Sequence, residues 1–87
     1  MSHGDYIVKF RIPNGGGGIV QGMASAEFLR EVMAWKVLYG ETHINEYTKQ
    51  GWYWLVDFHS TRSMVLFLTT FKPSNDFWLK NYSIEPV

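Results

Sequence analysis

Between Gly51 and Phe71 the chain is largely apolar, and its longest polar break is Ser60-Thr61-Arg62-Ser63. This run constrains the fold more than any other segment. Trp52 to His59 is rich in aromatic and β-branched residues, which suit a pleated, packed surface. Met64 to Phe71 has the same character, so the two stretches are expected to form an antiparallel hairpin across the polar break. In the first stretch Trp52, Trp54, Val56 and Phe58 share one face, and Tyr53, Leu55, Asp57 and His59 share the other. In the second, Met64, Leu66 and Leu68 oppose Val65, Phe67 and Phe71. Both faces of both expected strands are therefore substantially apolar.

Upstream, Tyr6 to Ile12 alternates cleanly: Tyr6, Val8, Phe10 and Ile12 point one way and Ile7, Lys9 and Arg11 the other. That is the pattern of a half-buried strand, whose edge offers a site for strand addition. Pro13-Asn14 ends it, and residues 13–24, with four consecutive glycines at Gly15 to Gly18, are expected to form a flexible loop. A helix is predicted over Ala26 to Tyr39, with Ser25 as N-cap. Glu27 suits its first turn, and Gly40 suits its C-terminal stop. Phe28, Val32, Trp35 and Tyr39 follow helical spacing, and Leu29, Met33 and Val37 broaden the apolar face. Glu41 to Gln50 is polar and reads as a loop or the start of a strand. After the turn cluster Lys72 to Asp76, the tail is expected to give either a strand or a short helical turn capped by Ser74 or Asn75, followed by a strand over Tyr82 to Glu85.

The expected class is α+β. It is a single two-layer domain with an antiparallel sheet of about four strands and one main helix on one face, in the order β-α-β-β plus the tail. If the tail supplies both a helix and a strand, the order becomes ferredoxin-like. One helix covers one sheet face, so the opposite face is expected to leave Tyr53, Leu55, Phe67 and Phe71 for a partner. Aromatic residues make up 17% of the 87 residues, more than such a small core is expected to need.

Charge and motifs narrow the function. Eight basic residues balance eight acidic ones, which argues against a broad electrostatic grip on nucleic acid. The chain has no cysteine, so disulfides and thiolate chemistry are absent. No apolar run approaches the length of a membrane span. Met1 to Gly4 has no signal-peptide features and is expected to be disordered. The expected location is the cytoplasm, of a cell or of an infected cell.

The glycine run lies between strand and helix, where phosphate loops sit. It lacks the Gly-Lys-Ser/Thr ending of such a loop, since the chain reads Gly22-Met23-Ala24-Ser25. His43 and His59 lack close metal-ligand spacing, and a metal would need Glu41 or Glu46 as a further ligand. Asp57 and His59 share a strand face, but no nucleophile motif accompanies them. No catalytic residue, metal or cofactor is expected.

Gly51-Trp52-Tyr53-Trp54-Leu55-Val56-Asp57-Phe58 loosely resembles the Gly-aromatic-x-aromatic-Val strand of the RNA-recognition motif, in which exposed rings stack on bases. It departs from that pattern in three ways. Tyr53 replaces a small residue, the final aromatic falls one position late, and the segment reads as the second main strand where that family carries it in the third. No family is assigned on it.

The leading expectation is a non-catalytic protein-interaction or regulatory module, of the accessory or virus-encoded kind that modulates a host complex. It would form a homodimer through an apolar sheet face or edge. The alternative is a single-strand nucleic-acid binder using aromatic rings with Lys9, Arg11 and Lys49. A third reading is a phosphate-binding, small-ligand or enzyme site that uses the glycine-rich loop and His59.

Overall fold

The structure, a computed structural model, describes residues 6–13 and 18–87, with side chains from 22 onward in the second segment. The elements run β1 (Tyr6–Arg11), α1 (Gly18–Tyr39), β2 (Ile44–Gln50), β3 (Tyr53–Phe58), α2 (Thr61–Thr70) and β4 (Tyr82–Pro86). Two 3-10 turns, Glu41–His43 and Asp76–Leu79, join them. The four-stranded sheet has the order β2-β3-β1-β4, and every neighbouring pair is antiparallel. This is the βαββαβ, or ferredoxin-like, arrangement.

Three expectations change here. The stretch Met64 to Phe71 belongs to α2 and its C-cap and is not a strand. Its burial explains why: Met64, Phe67 and Phe71 are buried, at helical spacing, while Val65 and Thr69 are exposed. The hairpin partner of β3 is the polar segment β2, through the two-residue link Gly51-Trp52, where Gly51 takes φ 60°. That left-handed conformation is one that glycine adopts without steric cost. Lastly, β1 is not an edge. It lies between β3 and β4, with Val8 opposite Val56 and Phe10 opposite Trp54 on one side and Tyr82 on the other.

Helix α1 begins at Gly18, so residues 18–24 are helical rather than loop. Gly15 to Gly17 and Met1 to Gly4, also singled out above, lie outside the described residues. Ser25 is consequently a buried mid-helix residue and caps nothing. Gly40 does end the helix. Its φ is 125°, and its N–H donates to the Lys36 carbonyl at 2.8 Å. The tail forms the helical turn capped by Asn75, whose side chain accepts from the Phe77 N–H, and then β4.

Both helices pack on the same sheet face. Phe10 touches Phe28 of α1 at 5.2 Å between centroids and Phe67 of α2 at 5.9 Å. Val8, Phe10, Ile12, Trp54, Val56 and Phe58 line that face from the sheet. Phe67 stacks on Phe71 at 4.4 Å and meets Trp35 edge-on at 4.9 Å. Trp78, from the second 3-10 turn, lies on Phe28 at 4.3 Å. Such ring contacts add to the large apolar area each side chain buries. The aromatic residues that looked surplus in the sequence are largely absorbed by this one cluster.

The start of α2 is set by Ser60. Its extended backbone and side-chain oxygen, which accepts from the Ser63 N–H at 3.1 Å, form an N-cap. Ser60→Ala is expected to cost about 1 kcal/mol in urea denaturation. An unchanged midpoint would mean that the cap contributes nothing.

Candidate interaction surfaces

The sheet face opposite the helices follows directly from the register. Arg11 lies opposite Tyr53, Lys9 opposite Leu55 and Ile7 opposite Asp57. Beyond β3, Gln50, Thr48 and Glu46 extend these rows, and on the far side Ser83 and Glu85 of β4 do the same. The face thus runs from a basic, aromatic end to an acidic end. The Lys9 ammonium sits 4.4 Å from the Tyr53 ring centroid and the Arg11 guanidinium 5.6 Å from it. Lys9 also pairs with Glu85 at 3.7 Å.

Tyr53 and Leu55 lie half-buried on this face, as expected. Phe67 and Phe71 do not join them. They are 0% and 3% exposed, in the core on the other side of the sheet. The four residues expected to form one apolar patch are therefore split, because the segment that carries the two phenylalanines is a helix. What remains open is a mixed surface, on which half-buried Ile7, Tyr53 and Leu55 lie among Lys9, Arg11, Glu46 and Glu85.

Of the three expected nucleic-acid contacts, Lys9 and Arg11 converge. Lys49 pairs in register with the buried Trp54 and so belongs to the helix side of the edge strand. The aromatic segment is the third strand of the sheet, not the second. Its ring phase is nonetheless turned inward: Trp54 is buried against Phe28 at 6.0 Å, and Trp52 sits in the β2–β3 link. Of the rings of this segment, Trp54 and Phe58 are in the core and Trp52 in a turn, and Tyr53 alone lies on the open face beside Lys9 and Arg11.

His43, Ser60 and Ser63 serve the fold. His43 Nδ1 lies 2.9 Å from the Ser63 hydroxyl, and the Ser60 hydroxyl donates to Ser63 at 3.1 Å. Ser63 is buried within this α2 cap. The backbone N–H of His59 donates to the His43 carbonyl at 2.8 Å, while the His59 side chain is exposed. Asp57, by contrast, is buried beside Leu55 and Ile7. Among the described residues no group of three His, Asp or Glu side chains is placed to hold a metal.

The exposed apolar surface lies elsewhere, on α1. The inward face of that helix is Phe28, Val32 and Trp35. Its outward face, read at helical spacing, carries Met23, Ala26, Met33, Ala34, Val37 and Leu38, all exposed, with Arg30 as its one charge. Val37 is 83% exposed and Leu38 76%. A helix this apolar on all sides is usually enclosed. Here only one side is covered by the described residues. Leu38 continues into a groove shared with Trp35, Tyr39 and Thr70, where the Trp35 indole N–H donates to the Thr70 hydroxyl at 2.9 Å. Val37 was visible in the sequence as part of a wide helical face. Leu38 was missed, although the lack of a polar sector between residues 32 and 39, broken only by Lys36, was the available signal.

No protein-family model matches the chain, and neither a curated protein nor a solved structure matches it. The fold therefore defines the class, a small four-stranded α+β domain, and the surfaces alone inform function. Among the described residues no helix is long and apolar enough to cross a membrane.

Proposed function

We propose that this chain is a non-catalytic protein-interaction module that binds a partner protein through the outward face of α1. The supporting observation is the exposure of Val37 and Leu38 on a helix whose opposite side is firmly seated in the core. A contiguous row of exposed apolar side chains is a recurrent mark of a contact surface. Met33 and Tyr39 add the flexible and aromatic side chains that interfaces favour. The sheet face is the weaker contact surface, because Phe67 and Phe71 are absent from it and Lys9, Arg11, Glu46 and Glu85 surround its half-buried Ile7, Tyr53 and Leu55. The single-strand nucleic-acid reading is the weaker one. A bound strand would have to draw Lys9 away from Glu85 and Tyr53, and it would meet Glu46 and Glu85 beyond them.

The double variant Val37→Glu/Leu38→Glu tests the reading. Both positions are exposed, so stability should change by no more than about 0.5 kcal/mol per site. In crosslinking with mass-spectrometric readout, partners captured by the wild-type chain should fall at least about tenfold with the variant, as expected where central apolar anchors are lost. Equal capture by the two proteins would rule out α1 as the contact surface.

A further inference from the structure

We propose that two copies of this chain pair antiparallel through β4, joining their sheets into one. The phase of the β1–β4 ladder sets which backbone groups of β4 point outward. The Arg11 N–H donates to the Asn81 carbonyl at 3.0 Å. Pairs that exchange hydrogen bonds alternate along an antiparallel ladder. Lys9 with Ser83, and Ile7 with Glu85, therefore carry the inner bonds. The other side of β1 agrees: the Ile12 N–H donates to the Trp52 carbonyl at 2.8 Å, so Phe10 and Val8 bond to β3. Tyr82, Ile84 and Pro86 are then left with their backbone groups directed away from the sheet. Proline, which has no N–H, occupies an outward position, where no bond to β1 is lost.

The two edges of the sheet are not equivalent. On β2 a register irregularity between Ile44 and Glu46, together with the charges of Glu46 and Lys49, discourages an added strand. On β4 the side chains of the outward positions Tyr82 and Ile84 are apolar and exposed.

The occupant that fits is a second copy. Antiparallel pairing about Ser83 places Tyr82 of each copy opposite Ile84 of the other. Two outward N–H groups per copy then find two outward carbonyls, in both directions. The same register brings an aromatic and a β-branched side chain together twice, a favoured cross-strand pair. The orientation follows from the backbone groups and not from charge, since Lys80 is held by Asp76 at 3.0 Å and Glu85 by Lys9 at 3.7 Å within each copy.

The two-fold axis of such a pair stands perpendicular to the sheet, so both helix layers fall on the same side. The dimer would thus present two α1 faces to one partner surface, which raises avidity without any new contact. The pairing itself does not depend on the role proposed for α1.

The absence of cysteine makes the test specific. In this register Ser83 faces itself as a non-hydrogen-bonded pair, with Cα atoms about 4.5 Å apart, inside the disulfide range of about 4.4–6.8 Å. Ser83→Cys should oxidise to a covalent dimer at micromolar concentration, whereas Thr48→Cys on β2 should remain monomeric. Light scattering of the wild-type chain should show a concentration-dependent dimer. Ile84→Pro, which removes only an outward N–H, should abolish that dimer with an unchanged circular-dichroism spectrum. Val37→Glu/Leu38→Glu should leave the crosslink intact, which separates this pairing from the α1 surface. A Ser83→Cys chain that stays monomeric, equal crosslinking at Thr48→Cys, or a dimer that survives Ile84→Pro would each overturn the proposal.

Discussion

Phe67→Ala is expected to destabilise the fold by about 3–5 kcal/mol, the range for truncating a buried phenylalanine. Phe67 is 0% exposed and touches rings from three other parts of the chain: Phe10 of β1, Trp35 of α1 and Phe58 of β3. No single neighbour can move to fill the space, because each is held by its own element, so most of the void should persist. A domain of this length has a total stability of about 4–13 kcal/mol, and the variant would sit near the edge of folding. Phe67→Leu keeps most of the volume and should remain cooperative in urea at a lower midpoint. Had Phe67 been an interface residue on an open sheet face, its truncation would lower association and leave the midpoint in place. A loss below about 1 kcal/mol for Phe67→Ala would contradict the core described here.

The same residue shows where the sequence misleads. Met64 to Phe71 has strand-like composition, yet Ser60 three residues before Ser63, with Met64, Phe67 and Phe71 at helical spacing, already spells a capped helix. Leu66 and Leu68, which are half-buried beside the core, blur that spacing. The opposite error concerned β2. An edge strand with one wet face needs few apolar residues, so Ile44 and Tyr47 alone mark its inward side among polar neighbours. Composition hid both elements: Met64 to Leu68 of α2 is an unbroken apolar run like that of a core strand, and the exposed edge strand is polar nearly all round.

Elsewhere pattern and structure agree. The alternation of Tyr6 to Ile12, the inward set Trp54, Val56 and Phe58, and the Asn75 cap followed by a terminal strand were all readable. The candidate surfaces were less so, because they depend on which residues the core leaves out. Val37 and Phe28 belong to one apolar helix in the sequence. Only the position of the sheet decides that Phe28 is buried and Val37 is not.

Trp78→Ala should be as damaging as Phe67→Ala, and in a manner that reaches β4. Trp78 is 0% exposed and stacks on Phe28 at 4.3 Å, from a 3-10 turn only four residues long. So short a turn has little stability of its own, and the indole is the chief apolar side chain fastening the segment between α2 and β4 to the core. Its removal is expected to cost about 3–5 kcal/mol. Loss of this anchor should also release the strand beyond it, since every residue of β4 is exposed and, among the described residues, β4 pairs only with β1. Hydrogen exchange at the amides of Ser83 and Glu85 should accelerate more than exchange in β3, as expected when one segment opens by itself. Trp78→Phe keeps an aromatic ring and gives up part of the indole's volume together with its N–H, which is buried without a partner. That variant should cost less than Trp78→Ala, because the smaller ring still fills most of the site and the N–H it loses makes no hydrogen bond. Combined with Ser83→Cys, Trp78→Ala should lower disulfide dimer formation and Trp78→Phe should preserve it. Uniform acceleration of exchange across β3 and β4 would show instead that the sheet opens as one unit and that Trp78 is not a separate clamp on its edge.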